Sequence, residues 1–177
     1  GTTAQTGAML AQCLILHKPK TFRILINGNL PKYVYAKDVI LEIIGKITFK
    51  GATGYVLEYA GSTIESMSMD ERMTMCNMSI EAGATSGMIS PDQITIDYLK
   101  GKENITKSKS EFESLKVKWL SFASDKDANY DKEISLDANT LKPKITWGTN
   151  PGEVIDIDSV IPDDADEKSL EYMGLKK

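Results

Sequence analysis

The chain has 177 residues, enough for one sizeable domain with parts of its neighbours and for a buried core. Its apolar content of 41% and its charged content of 26% are those of a soluble globular protein. The net charge is −4 and the lysines are scattered among acidic residues, which argues against a nucleic-acid partner, and no apolar run reaches the length of a membrane span.

The chain contains two cysteines, Cys13 and Cys76, and each lies in an apolar helical pattern. This predicts buried free thiols instead of a disulfide framework or a metal-binding pair, and it fits a cytoplasmic location. The single histidine, His17, follows the first predicted helix, where a surface or capping role is expected. Because the sequence starts at Gly1 without an initiator methionine or a signal-peptide pattern, we expect a fragment of a longer protein.

Hydrophobic periodicity predicts a helix followed by a hairpin at the start of the chain. The helix covers residues 6–16 and stops before Pro19. A strand over residues 21–26 then turns at residues 27–29 and returns through residues 33–35.

The clearest helical pattern begins after Tyr35, a residue that caps a helix poorly. The apolar stripe of this helix consists of Val39, Ile40, Ile43, Ile44 and Ile47. Gly51 and Gly54 then precede a strand over residues 55–59. They predict a tight turn or a close backbone approach, because no lysine followed by serine or threonine is present to make a phosphate-binding loop.

A capping box formed by Ser68 and Glu71 predicts a helix from Met69 to about Ala82, closed by Gly83 in the left-handed conformation. The predicted apolar positions of this helix are Met73, Cys76 and Ile80.

Asn77 and Glu81 stand one turn apart on one face of this helix, beside small or apolar neighbours that would bury part of each. One interpretation is a solvated helix flank, since helix surfaces are mostly polar. The other is a pair of polar groups that requires partners in a site.

The second half of the chain continues the alternation of helices and short strands. Residues 86–89 predict a short buried strand, and Pro91 is expected at the first position of a helix that Gly101 ends. A polar connection over residues 102–109 leads to a helix capped by Ser110.

Two strands, over residues 133–136 and 144–147, are predicted around a turn at residues 137–139. A last helix covers residues 168–172 and ends at Gly174. The whole pattern predicts an α/β fold.

Four stretches resemble the aconitase family, on its isopropylmalate isomerase branch. Residues 72–84 read Arg-Met-Thr-Met-Cys-Asn-Met-Ser-Ile-Glu-Ala-Gly-Ala and are similar to the family's signature helix. The others are residues 36–46, residues 51–54 (Gly-Ala-Thr-Gly) and residues 147–152 (Trp-Gly-Thr-Asn-Pro-Gly). The similarity extends over essentially the whole chain and implies an aconitase-like large-subunit fragment.

The resemblance implies a division into three parts. Residues 1–20 would end one α/β domain, residues 21–141 would form a compact central α/β domain, and residues 142–177 would begin a cluster-bearing domain. It also implies a hydro-lyase that interconverts 2-isopropylmalate and 3-isopropylmalate in leucine biosynthesis, together with a separate small subunit.

The implied cofactor is a 4Fe-4S cluster with one Lewis-acidic iron and with cysteine ligands beyond Lys177. Glu81 would orient and charge a catalytic histidine supplied from outside this chain, and Asn77 would be a polar contact near the cluster and the substrate. Residues 147–151 would approach the buried cleft around which domains of this family pack, but no residue among them is assigned a role.

Two other functions remain open. The first is homoaconitase or another hydro-lyase of the same family, because most of the substrate pocket would lie outside this chain. The second is a non-catalytic folded module that serves only subunit or domain contact. Downstream Ser-Cys-Thr and Cys-x-x-Cys motifs would favour an enzyme, because the cluster requires those thiolates.

Overall fold

The computed structural model describes residues 2–13, 17–102, 104–105 and 108–175. The helices are α1 (Thr2–Ala11), α2 (Ala36–Ile47), α3 (Ser62–Ser66), α4 (Met69–Met78), α5 (Gln93–Leu99), α6 (Lys109–Leu120) and α7 (Glu167–Met173). The strands are β1 (Lys20–Asn27), β2 (Tyr55–Ala60), β3 (Ser86–Ile89), β4 (Lys132–Asp137), β5 (Lys144–Thr146) and β6 (Val154–Asp156). Short 3₁₀ helices cover Ser79–Ala82 and Ala138–Thr140. The predicted α/β class is confirmed. None of the described helices is long and apolar enough to cross a membrane.

The main sheet has four parallel strands in the order β3–β2–β1–β4. Parallel neighbours require crossover connections, and α2 provides the first of these between β1 and β2. The chain then passes through α3 and α4 to β3, and through α5 and α6 to β4 on the opposite side of β1. The strand order therefore reverses at β1.

The core lies between one face of the sheet and the apolar stripe of α2. Alternate residues of β1, namely Phe22, Ile24 and Ile26, are fully buried. Helix α4 contacts both α2 and β3, and contributes the fully buried Met75 to the same core. Burial of this face fixes where the end of α4 lies.

The strands β5 and β6 form a separate antiparallel pair that contacts α2. The Lys144 ammonium is paired with the carboxylates of Glu42 and Asp156. Burial alone would lower the pKa of Lys144, but these two hydrogen-bonded carboxylates outweigh it and raise the pKa. The ion pairs hold the hairpin against α2. The domain boundaries at residues 20 and 141 stay a prediction.

The predicted hairpin over residues 21–35 is wrong. Residues 33–35 form no strand, and both neighbours of β1 are parallel strands from distant parts of the sequence. Local turn residues cannot indicate that both edges of a strand are taken by long-range partners. The strands predicted around residues 137–139 both exist, but β4 and β5 belong to different sheets.

Several predicted boundaries and burial states also differ. Pro91 precedes the N-cap residue Asp92 instead of opening α5, and Ser108 caps α6 in place of Ser110.

Cys13 is exposed, so its predicted burial is wrong, and the expected surface position of His17 is confirmed. Helix α1 ends at Ala11, and residues 14–16 of its predicted span lie outside the described residues. The strand β3 lies at the sheet edge with Met88 57% exposed, so it is not the buried strand predicted.

At the start of α2, hydrogen bonds to the Asp38 side chain are present and a capping hydrogen bond from the N-cap side chain is not. Tyr35 occupies the N-cap position, and its side chain makes no capping hydrogen bond, as predicted. Instead the Tyr35 N–H donates to Asp38 Oδ2 at 2.8 Å, and the Lys144 N–H donates to Asp38 Oδ1 at 2.7 Å. Asp38 therefore joins the start of α2 to the start of β5.

We expect Tyr33→Gly to raise the free energy of unfolding by about 1 kcal/mol, because a tyrosine in the left-handed region is strained. Tyr33 has φ 69°, in a turn where the Val34 N–H donates to the Pro31 carbonyl at 3.1 Å. Urea unfolding measures the change. Lys32→Gly, in the same turn but not at a positive φ, is the control and should lower stability. Equal losses in both variants would show that Tyr33 stores no strain.

Candidate functional site

The start of α4 is the capping box that the sequence predicts. Ser68 Oγ accepts a hydrogen bond from the Glu71 N–H at 3.4 Å, and the Ser68 N–H donates to Glu71 Oε2 at 2.8 Å. This reciprocal pair satisfies backbone donors at the helix start, so the helix begins at Met69 as expected.

The buried face of α4 is not the predicted one. Met73 is 38% exposed and Ile80 is 58% exposed, although both were expected to lie in the core. The positions that are buried instead, at helical spacing, are Arg72, Met75 and Ser79. The helix is rotated relative to its apolar pattern, because its polar residues find partners inside the fold.

Arg72 is a charged residue that is buried in this core. Its guanidinium donates to both oxygens of Asp92, at 2.8 and 2.6 Å, and to the carbonyl oxygens of Met67 and Glu65, each at 3.0 Å. Such a bidentate pair compensates for the loss of hydration. The Arg72 guanidinium lowers the pKa of Asp92. The pair fixes α4 to the N-terminus of α5.

The end of α4 tightens into the 3₁₀ helix Ser79–Ala82. The Ser79 hydroxyl is fully buried, hydrogen-bonds with the Tyr59 hydroxyl at 2.7 Å and donates to the Met75 carbonyl at 3.0 Å. A Cβ on Gly87 would lie 2.2 Å from Ser79 Oγ. The strand β3 therefore lies so close to Ser79 that only glycine fits at position 87. Gly83 closes the turn with φ 82°, which confirms the predicted left-handed position.

This turn places Glu81 on a groove of about 670 Å³. Because Ser79 and Ala82 face the core, Glu81 lies on the outside and is exposed. The other walls are the start of α2, including Tyr35, Lys37 and Asp38, and the segment from Lys144 to Pro151. Within the described part of the chain, the Glu81 carboxylate has neither a hydrogen-bond nor an ion-pair partner.

Asn77 does not share this groove. It lies in the last turn of α4, is exposed, and its amide has no hydrogen-bond partner among the residues that the structure describes. The groove is lined by the neighbouring Met78. The partial burial predicted for Asn77 and Glu81 is therefore wrong, and the structure brings only Glu81 to the groove.

Another wall of the groove is a loop, residues 147–152, to which the sequence analysis assigns no role. The Trp147 N–H donates to the Glu153 carbonyl and the Glu153 N–H to the Asn150 carbonyl, each at 3.0 Å. The Glu153 carboxylate accepts from the backbone N–H groups of Thr149 and Asn150 and from the Ser169 hydroxyl. The feature of the sequence that could have indicated this loop is the acidic residue Glu153 directly after the turn residues Pro151 and Gly152.

The described residues do not fit an iron–sulfur cluster. Among them, there is no group of three or more histidine, cysteine, aspartate or glutamate side chains that could hold a metal ion. Both cysteines are free, and burial raises the pKa of the Cys76 thiol, which disfavours the thiolate that a cluster requires.

Comparison with known proteins identifies the family. A family model described as "Aconitase family (aconitate hydratase)" matches residues 1–177. The chain belongs to the aconitase family. It is 47% identical over 182 residues to a protein of Oceanobacillus iheyensis and 44% identical over 178 residues to one of Leuconostoc mesenteroides subsp. mesenteroides. Both relatives are named 3-isopropylmalate dehydratase large subunit, which confirms the resemblance stated from the motifs.

The alignments cover 99% of this aconitase-family chain but only 39% and 38% of the two relatives. The chain therefore spans about two-fifths of the length of the relatives that it matches.

The family-like stretches of the sequence meet around the Glu81 groove. The stretch 36–46 provides the start of α2, the stretch 72–84 provides Glu81, and the stretch 147–152 provides a loop that forms another wall. The stretch 51–54 lies behind them, since the Ala52 N–H donates to the Ala82 carbonyl at 3.0 Å. Segments that are distant from one another in the sequence of this chain thus form one surface.

Proposed function

We propose that this chain is part of the large subunit of a 3-isopropylmalate dehydratase. Such a hydro-lyase removes water from 2-isopropylmalate and adds it back to give 3-isopropylmalate, a step of leucine biosynthesis. The observation that carries the proposal is the unpartnered Glu81 carboxylate on a groove where the family-like stretches meet. The names of the two relatives support the choice of substrate.

Glu81 is the group to which we assign a role in proton transfer. Its carboxylate accepts a hydrogen bond from a histidine that another part of the complete protein supplies. A carboxylate in contact with an imidazole raises the histidine pKa and fixes which ring nitrogen carries the proton. The support is that Glu81 is exposed on the groove and has no partner within the described part of the chain.

Asn77 is proposed as a polar contact for the substrate or cofactor. Its support is an exposed amide at the end of α4 without a hydrogen-bond partner among the described residues. Because Asn77 does not line the groove with Glu81, such a contact would have to come from a part of the complete protein that packs against the outer side of α4.

The proposal extends to the cofactor, the partner and the location. A 4Fe-4S cluster of the complete protein would supply a Lewis-acidic iron when bound. Its ligands belong outside this chain, since the described residues do not fit it. A separate small subunit completes the enzyme, and the two free thiols are consistent with a cytoplasmic location. The three-part domain division at residues 20 and 141 belongs to the same proposal.

The test is a substrate comparison on the complete two-subunit protein, reconstituted with iron and sulfide under anaerobic conditions. Interconversion of 2-isopropylmalate and 3-isopropylmalate is followed by product analysis, with homocitrate and citrate as the competing substrates. We expect turnover of isopropylmalate with the highest kcat/KM. Preference for homocitrate would contradict the substrate assignment, and turnover of none of these acids would contradict the proposed hydro-lyase.

A further inference from the structure

The 147–152 loop is organised around a carboxylate that is not itself on the groove. Glu153 accepts from the Thr149 N–H and from the Asn150 N–H at 3.2 Å, and its second oxygen accepts from the Ser169 hydroxyl at 3.0 Å. Ser169 is buried in α7, so the loop is fixed to a helix. A Cβ on Gly148 would lie 1.8 Å from Glu153 Oε2, which shows how closely the loop wraps this carboxylate.

The loop also fixes the orientation of the Asn150 amide. Asn150 Oδ1 accepts a hydrogen bond from the Gly152 N–H at 2.9 Å. This contact assigns the oxygen to the loop side, because only the oxygen can accept from a backbone N–H. The amide NH₂ group has no acceptor among the described residues, and Asn150 lines the same groove as Glu81.

The groove therefore offers a hydrogen-bond donor whose position is set before a ligand arrives. The nearest cations differ in availability: the Lys144 ammonium is already paired with Glu42 and Asp156. The Lys37 ammonium, on the first turn of α2, has no ion-pair partner in the described part of the chain. A hydroxy acid that enters between Glu81 and the loop would meet the Asn150 donor on the loop side.

Resting on the proposed function, we propose that Asn150 contacts the substrate and that Glu153 is its positioning residue. The Asn150 NH₂ group donates to a carboxylate or hydroxyl oxygen of the hydroxydicarboxylic acid. Glu153 acts through the loop, by holding the backbone that carries this amide. A contact of this kind contributes to substrate binding and not to the proton transfer assigned to Glu81.

Asn150→Asp tests the contact with little disturbance of the loop. Aspartate keeps an oxygen for the Gly152 N–H, but it replaces the NH₂ donor by an anion that repels a dicarboxylate. We expect KM for isopropylmalate to rise about tenfold or more, with kcat changed by less than about threefold, because a hydrogen bond to a charged group is lost. Asn129→Asp, the same change at an exposed position, is the control and should leave KM unchanged.

Glu153→Ala tests the positioning role with a readout from the loop itself. The chain has two tryptophans, so Trp147 is the one that remains in a Trp119→Phe background. The environment of Trp147 is then read from fluorinated tryptophan or from tryptophan emission, in each case as the difference from the same protein that also carries Trp147→Phe. We expect stronger acrylamide quenching of Trp147 and a higher KM in the complete enzyme. Glu153→Gln keeps one acceptor oxygen, should give a smaller change in the same direction, and replaces the alanine variant if that variant does not fold.

The outcomes separate the two proposals. An active wild-type enzyme in which Asn150→Asp has an unchanged KM overturns the contact. Unchanged Trp147 quenching in both Glu153 variants overturns the positioning role, and this measurement does not depend on turnover. A wild-type enzyme that neither binds nor converts isopropylmalate overturns the proposed function, and the Asn150 contact with it.

Discussion

If the complete protein is the two-subunit dehydratase proposed above, Glu81→Gln is expected to lower its kcat by about a hundredfold to ten-thousandfold, the usual contribution of acid–base catalysis. Glutamine keeps the size of the side chain and one acceptor oxygen but removes the negative charge. The histidine proposed to contact Glu81 then has a lower pKa, since the charge that favoured its protonated form is gone. KM should change much less, because the lost interaction acts mainly in the proton-transfer step.

The structure separates this effect from a loss of stability. Glu81 is exposed and has no hydrogen-bond partner within the described part of the chain, so its charge contributes little to folding. Thermal unfolding of Glu81→Gln should match the wild type to within about 0.5 kcal/mol, as for other surface substitutions. Glu113→Gln, on the exposed side of α6, is the matched control and should change neither kcat nor stability.

The decisive measurement is kcat against pH for wild type and both variants at equal cluster content. The limb of the profile that reports the histidine should move to lower pH in Glu81→Gln, because its pKa is lowered. An unchanged rate together with an unchanged profile would remove Glu81 from the mechanism and leave it as a surface residue.

Local patterns in the sequence predicted elements well where the physical determinant is local. The capping box at Ser68, the stripe of α2 and the left-handed Gly83 each depend on a few consecutive residues, and each is found as predicted. Strand pairing is a long-range property. The residues after β1 resemble a hairpin turn, but the neighbours of β1 are β2 and β4, which arrive through helical crossovers.

The buried face of α4 was missed for a different reason. Periodicity assumes that apolar residues face inward, and here an arginine and a serine do so. Arg72 requires Asp92 from the next helix, and Ser79 requires Tyr59 from β2. Neither partner can be inferred from the helix itself, so the rotation of α4 was not predictable. The exposure of Glu81 agrees with the solvated helix flank, one of the two interpretations that the sequence left open.

The sequence analysis identified one residue of the candidate groove. The resemblance to the aconitase family selected Glu81, and the structure places Glu81 on the groove. Glu153 was missed because its contacts are backbone N–H groups of a short loop and a hydroxyl sixteen residues away, which no motif specifies. Loops of this kind are built from hydrogen bonds that a pattern of residue types does not encode.

The ion pair between Arg72 and Asp92 gives the largest expected effect on stability. We expect Asp92→Ala to lower the free energy of unfolding by about 3 kcal/mol, because it leaves the Arg72 guanidinium, only 3% exposed, without its carboxylate. The same substitution removes the N-cap of α5, where Asp92 Oδ1 accepts from the Thr95 N–H at 3.1 Å. Asp97→Ala, on the exposed side of α5, is the control and should cost far less.

The same pair predicts how stability depends on pH. Arg72 holds the pKa of Asp92 below its ordinary value, so the pair stabilises the fold fully above the unfolded-state pKa of about 3.9. As the pH falls from there through the lowered pKa of the folded state, Asp92 takes up a proton and this contribution is lost. Urea unfolding from about pH 7 down to pH 2.5 should therefore show a steeper acid decline for wild type than for Asp92→Ala. Parallel curves for the two proteins would show that Asp92 is not linked to folding through its charge, and that the cost of its removal comes from the lost helix cap.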